Sequence, residues 1–230
     1  MKKLIRIFGC LGAAAVLSPA VAINAIDSGY HTSGGNHTAS ITNFLVGALG
    51  ANEYRNFFVF DLAGVSGTVS SVTLNLGQPS TGFNSTTSEL YQLFNVSSSI
   101  AVLTANSAGD LTVFNDLGTG TSYGTQTVTS ASNGSTVSIV LNAAGIAAVQ
   151  SALGGMFAIG GSIFDITGLA PQYSFDSTGL RELVVTLGTG GNTGGNTGGN
   201  TGGGGEVPEP GTVAMLGGAL AALGFARRKR

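Results

Sequence analysis

The chain has no tryptophan and a single cysteine, Cys10. That cysteine falls within the first 22 residues, which read as a removable leader. Disulfides, cysteine-ligated metals and thiol catalysis are therefore excluded for the remainder. Basic residues are almost as scarce away from the ends. Of nine Lys and Arg, Lys2, Lys3 and Arg6 open the chain and Arg227, Arg228, Lys229 and Arg230 close it, which leaves Arg55 and Arg181 between them. Asp27 to Leu187 carries nine carboxylates against those two arginines, a balance of −7. A surface of that sign repels phosphate backbones, so nucleic acid is excluded as a partner. No Gly-x-Ser-x-Gly elbow occurs. The glycine-rich run Gly118–Gly124 lacks a following helix and a surrounding βαβ unit, so it is a loop and not a nucleotide cradle.

What is present is sharply zoned. Residues 1–22 form a signal peptide. Lys2, Lys3 and Arg6 are its charged start, Ile7 to Leu17 its short apolar run, and Ala20-Val21-Ala22 its small-x-small cleavage site, with Ala20 and Ala22 flanking Val21. Residues 188–206 form a linker in which Gly-Gly-Asn-Thr recurs at 190–193, 194–197 and 198–201. Glycine at that density carries too much backbone entropy to fold. Residues 207–230 hold three signals in order. The first is Val207-Pro208-Glu209-Pro210, whose prolines keep the backbone extended. The second is an apolar run read as a single helix; over Thr212–Ala226 it would reach about 22 Å. That is shorter than a hydrocarbon core of about 30 Å, which suits a temporary stop. The third is the basic cluster Arg227-Arg228-Lys229-Arg230, cytoplasmic by the positive-inside rule. This tail resembles the PEP-CTERM sorting signal of Gram-negative bacteria. The resemblance implies processing by an exosortase near the proline motif, after signal peptidase has cut the leader and the protein has passed transiently through the inner membrane.

Residues 23–187 are read as one all-β domain, a jelly-roll-like β-sandwich with one short helix. The N-terminal signal helix and the C-terminal hydrophobic helix lie outside it. Glu53 to Leu62 is the strongest strand. Tyr54, Asn56, Phe58 and Phe60 share one face and Arg55, Phe57, Val59 and Asp61 the other, so both faces are covered over part of its length. Val69 to Leu76 alternates, with Val72, Leu74 and Leu76 inward. Tyr123–Thr129 and Thr136–Leu141 flank Ser132-Asn133-Gly134, a hairpin turn by its chemistry. Asn142 caps a helix over Ala143–Leu153, with Ile146, Val149 and Leu153 on one stripe and Gly154 as its stop. Ile23–Gly50 supplies one or two edge strands. The run from Tyr54 to Leu62 together with Gly67 to Leu74 resembles a group of exported PEP-CTERM proteins and, more distantly, disaggregatase-type carbohydrate-binding sandwiches. That resemblance implies a sandwich and brings no activity with it.

Candidate chemistry is sparse. His31 and His37 are the only histidines, six apart in a polar loop; they are read as solvated, with joint metal ligation as the sharper alternative. Asp110, Asp116, Asp165 and Asp176 lie in turns. There they serve as Asx-turn formers or, for Asp110 and Asp116 above all, as weak oxygen ligands for Ca²⁺; no cofactor is otherwise expected. Arg55 needs a carboxylate, and Asp61, on its face, is too far along the strand to provide it. Tyr30, Tyr91, Tyr123 and Tyr173 are read as exposed rings able to stack on sugars. The sequence thus predicts a non-catalytic exported surface protein associated with exopolysaccharide or biofilm matrix. Its alternatives are an exported carbohydrate-active hydrolase built on loop carboxylates and a self-assembling adhesion protein.

Overall fold

A computed structural model describes residues 18–164, 166 and 171–188. The predicted signal helix and the predicted C-terminal hydrophobic helix lie outside these residues. Eleven strands are described, in two antiparallel sheets. Their order along the chain is β1 (Ala20–Asn24), β2 (Asp27–Thr32), β3 (Val46–Leu49), β4 (Asn52–Asp61), β5 (Val69–Gly77), β6 (Glu89–Asn95), β7 (Ser122–Val128), β8 (Thr136–Val140), β9 (Met156–Phe164), β10 (Gln172–Ser174) and β11 (Arg181–Leu187). Helices α1 (Ile100–Leu103) and α2 (Leu111–Asp116) come after β6, and α3 (Ala143–Ala152) comes after β8. The smaller sheet runs β1-β11-β5-β8. The larger runs β10-β3-β4-β9-β6-β7, with β2 also paired to β4. The chain is the all-β sandwich that its strand patterns predict, with α3 as the expected short helix.

The sandwich exists because strand side chains alternate and each sheet has an apolar face to hide. The smaller sheet contributes Val72, Leu74, Leu76, Val137, Ile139, Leu183 and Val185. The larger contributes Phe58, Phe60, Tyr91, Leu93, Phe157, Ile159 and Ile163 to the same core. Burial of each phenylalanine here is worth about 2–3 kcal/mol over leaving it in water. Helix α3 adds Val149 to this core, with Ile146 and Leu153 packed against it. Asn142 starts the helix by accepting the Gly145 N–H at 3.0 Å, and Gly154, at φ +80°, ends it.

Strand β4 buries its other face as well. Phe57 and Val59 pack with Leu103 of α1 and with Val113 and Leu117 of α2 and its C-terminal end. A second, smaller apolar cluster therefore lies outside the larger sheet, and two short helices are its cover.

Two expectations are corrected. Strands β7 and β8 are not a hairpin. β7 pairs with β6 in the larger sheet and β8 with β5 in the smaller, so the Asn133-Gly134 turn, with its 3-10 turn Ser130–Ser132, carries the chain from one sheet to the other. Residues 23–50 hold β2 and β3 as well as part of β1, which exceeds one or two edge strands. Ala20 and Ala22 are exposed residues of β1, and Val21 between them packs against the core.

Candidate functional site

The open part of the larger sheet's outer face carries a groove of about 570 Å³. Three strands build it. Side-chain alternation places Arg55 and Glu53 of β4 on the same outer face as Phe57. On β9 that face shows Gly160, Ser162 and Phe164, and on β6 it shows Leu90, Gln92 and Phe94. Register sets the rows, because Gln92 lies opposite Ser162 and Leu90 opposite Phe164. The pairing of β4 with β9 runs from Asp61↔Met156 to Asn56↔Gly161. The groove lies beyond it, with Glu53 and Arg55 on one wall and Ser162 and Phe164 on the other.

Arg55 marks the border between the helical cover and the groove. Its Nε donates to Glu53 Oε1 at 2.8 Å, and its Nη1 donates to the Phe114 carbonyl at 3.1 Å. The guanidinium carbon lies 4.2 Å from the centre of the Phe114 ring, a stacking that suits a planar cation. Gly118 makes room for it, since a Cβ there would fall 2.5 Å from that carbon. The carboxylate that Arg55 requires is thus Glu53, two residues earlier on the same face. The Gln92 amide and Ser162 hydroxyl also line the groove and have no partner among the described residues. Phe164 is 55% exposed and Leu90 38%, so an apolar strip borders this polar row.

The sequence candidates are distributed differently. His31 and His37 are buried, 0% and 5% exposed, which overturns their reading as solvated residues. Their rings stack at 4.5 Å with a 24° tilt, against Phe57. Each anchors one nitrogen on a backbone carbonyl: His31 Nε2 on Leu103 at 2.9 Å and His37 Nδ1 on Tyr30 at 2.9 Å. Each donor bond leaves the other nitrogen as an acceptor, and His31 Nδ1 and His37 Nε2 have no partner among the described residues. Near-parallel rings direct these lone pairs along near-parallel planes, which is poor geometry for one shared ion. Burial lowers the His31 pKa below the ordinary value; the neighbouring His37 acts in the same direction, while the Leu103 carbonyl and Asp110 oppose it.

Asp110 caps the start of α2 by accepting the Thr112 N–H at 2.9 Å, which holds its carboxyl below the usual range. Asp116, at the other end of the same helix, accepts the N–H groups of Ser97 and Ser98 at 2.9 and 2.8 Å and the Ser97 hydroxyl. Burial works against its ionised form, but these bonds together outweigh it and keep the carboxyl low. Asp176 accepts from Asn43 Nδ2 at 2.5 Å, and Asp165 lies outside the described residues. Among the described residues no three His, Cys, Asp or Glu gather where a metal could sit. Tyr91 is fully buried and donates to Asn56 Oδ1 at 2.9 Å, and Tyr123 is 8% exposed; both are core residues and not sugar platforms.

One comparison supplies what this geometry does not. Residues 206–230 match the PEP-CTERM protein-sorting motif. The PEP-CTERM motif makes the chain an exported, cell-surface protein of a Gram-negative bacterium, processed by an exosortase. No curated protein matches the chain. Val207, Pro208, Glu209 and Pro210 and the cluster Arg227, Arg228, Lys229 and Arg230 lie within the match and outside the described residues.

Nothing in the spacing of the sequence announced the groove, because positions 53, 92 and 162 meet only through strand order. Arg55 was the available signal. An arginine in an apolar strand calls for a carboxylate, and Glu53 at i−2 shares its face.

Proposed function

We propose that the β-sandwich is a non-catalytic module that binds polysaccharide of the extracellular matrix in the groove between β4, β9 and β6. The supporting observation is the pairing of a polar row, Glu53, Arg55, Gln92 and Ser162, with exposed Phe164, which lines the groove, and Leu90, which lies opposite Phe164 in register at its border. A sugar ring needs both, hydrogen-bonding groups for its hydroxyls and an apolar surface for its C–H face. Export to the surface brings such a groove into contact with matrix glycans. A hydrolase at this place would need two carboxylates about 5–10 Å apart. Glu53 is the single carboxylate lining the groove among the described residues.

Affinity electrophoresis of the exported protein through gels containing the producer's own extracellular polysaccharide tests this reading. Saturable retardation is expected, with no release of reducing ends. Free migration at every polysaccharide concentration would remove it.

A further inference from the structure

We infer that the groove takes neutral sugars and not uronic-acid polymers, an inference that rests on the groove being a glycan site. Three observations carry it. First, the groove's cation is already matched: Arg55 Nε holds Glu53 Oε1 at 2.8 Å, so the wall has no net positive charge to offer an acidic ligand. Secondly, the surroundings are acidic. Arg55 and Arg181 are the only Lys or Arg residues between Asp27 and Leu187, against nine carboxylates. Arg181 is engaged elsewhere, donating to Ser28 Oγ at 2.7 Å and to the Thr42 carbonyl at 3.2 Å. A polyanion with a charge on each ring would approach against that field.

The third observation is the hydrogen-bonding character of the wall. Glu53 engages Arg55 through Oε1 and has a second carboxylate oxygen, a pure acceptor, on a side chain that is 30% exposed and so open to a donor from a ligand. A ligand carboxylate placed there would meet it charge against charge with no proton to give, whereas a hydroxyl donates to it. Gln92 offers both a donor and an acceptor, and so does the Ser162 hydroxyl. A set that mixes donors and acceptors in this way matches the hydroxyls of a pyranose, each of which gives one bond and takes others, and it includes no unmatched cation for a ring carboxylate. Phe164 and Leu90, opposite each other in register, then form the apolar shelf beside the polar row.

The test uses the exported protein and two forms of one polymer: the producer's extracellular polysaccharide, native and after chemical reduction of its uronic carboxyls to primary alcohols. Each is run in affinity gels at low and moderate salt. The inference expects binding to the reduced form to equal or exceed binding to the native form, with little change with salt. Phe164→Ala and Glu53→Gln should each weaken it about tenfold or more, and the exposed position of Phe164 leaves the fold of the first variant intact. Binding that is lost on carboxyl reduction, or that falls steeply with salt, would overturn the neutral-sugar assignment while leaving the glycan site standing. No binding to either form would overturn both.

Discussion

The outer face of the larger sheet has two halves that differ in their cover and in the side chains they carry. Over Phe57 and Val59 it is roofed by α1 and α2, and the residues beneath are apolar. Over Arg55, Gln92 and Ser162 no roof is built among the described residues, and the side chains are polar. The same strands, β4, β9 and β6, run through both. The sheet therefore does not determine whether a face is core or surface; a loop inserted between β6 and β7 does. Asp110 and Asp116 fix that loop by holding the two ends of α2. Arg55 stands on the dividing line, with its ring partner Phe114 and carbonyl acceptor in the roof and its carboxylate partner in the groove.

The strongest way to break the comparison is to empty the roofed half. Phe57→Ala is expected to cost about 3–5 kcal/mol, as a full core truncation does, and urea denaturation measures it. A cost near zero would mean that the roof covers nothing of consequence. Next comes the dividing line. Gly118→Ala places a methyl against the guanidinium and should cost about 2 kcal/mol while displacing Arg55 into the groove. Loss of glycan retention at temperatures where the variant is still folded would show that the two halves share this residue; full retention would separate them.

A pH titration of stability sharpens the roofed half further. The folded-state pKa of His31 is lowered, so the unfolded chain binds the proton more readily. Stability is complete above the ordinary histidine value of about 6.5 and declines as pH falls below it toward the folded value. The lowered carboxyls of Asp110 and Asp116 act with the same sign in a second window, below about 3.9. A melting temperature tracked from pH 8 to 3 should show both limbs, and His31→Gln should flatten only the first. The smallest effect belongs to the open half. Phe164→Ala should change stability by no more than about 0.5 kcal/mol, in contrast to Phe57→Ala on the same face.

Much of the inner core was legible because its signals are local. The alternation of β5, the two apolar faces of β4, and the Asn142 cap with its Ile146–Val149–Leu153 stripe each lie within one segment. The misreadings concern partners distant in the chain. Asn133-Gly134 has the chemistry of a hairpin turn, but the next strand goes to whichever sheet still needs an apolar face, and β8 completes the smaller one. His31 and His37 sit in a polar-looking stretch and are buried because α1 and the segment around Ser107 fold over them, with backbone bonds between His37 and Ser107 at 3.0 and 3.1 Å. Tyr91 is inside, and Asn56 meets its hydroxyl across the one strand between them, β9, where Gly161 leaves the room. Helices α1 and α2, of four and six residues, are too short to show a period.

The pairing of β1 with β11 ties the edge of the smaller sheet to the leader. The two strands are antiparallel, and the Leu187 N–H donates to the Pro19 carbonyl at 2.9 Å, so the described chain enters and leaves the fold at one corner. Cleavage of the leader after Ala22, the site the sequence predicts, would remove Pro19 with its Leu187 bond and three of the five β1 pairs, and would leave Val184 to Leu187 of β11 without a ladder partner on that side.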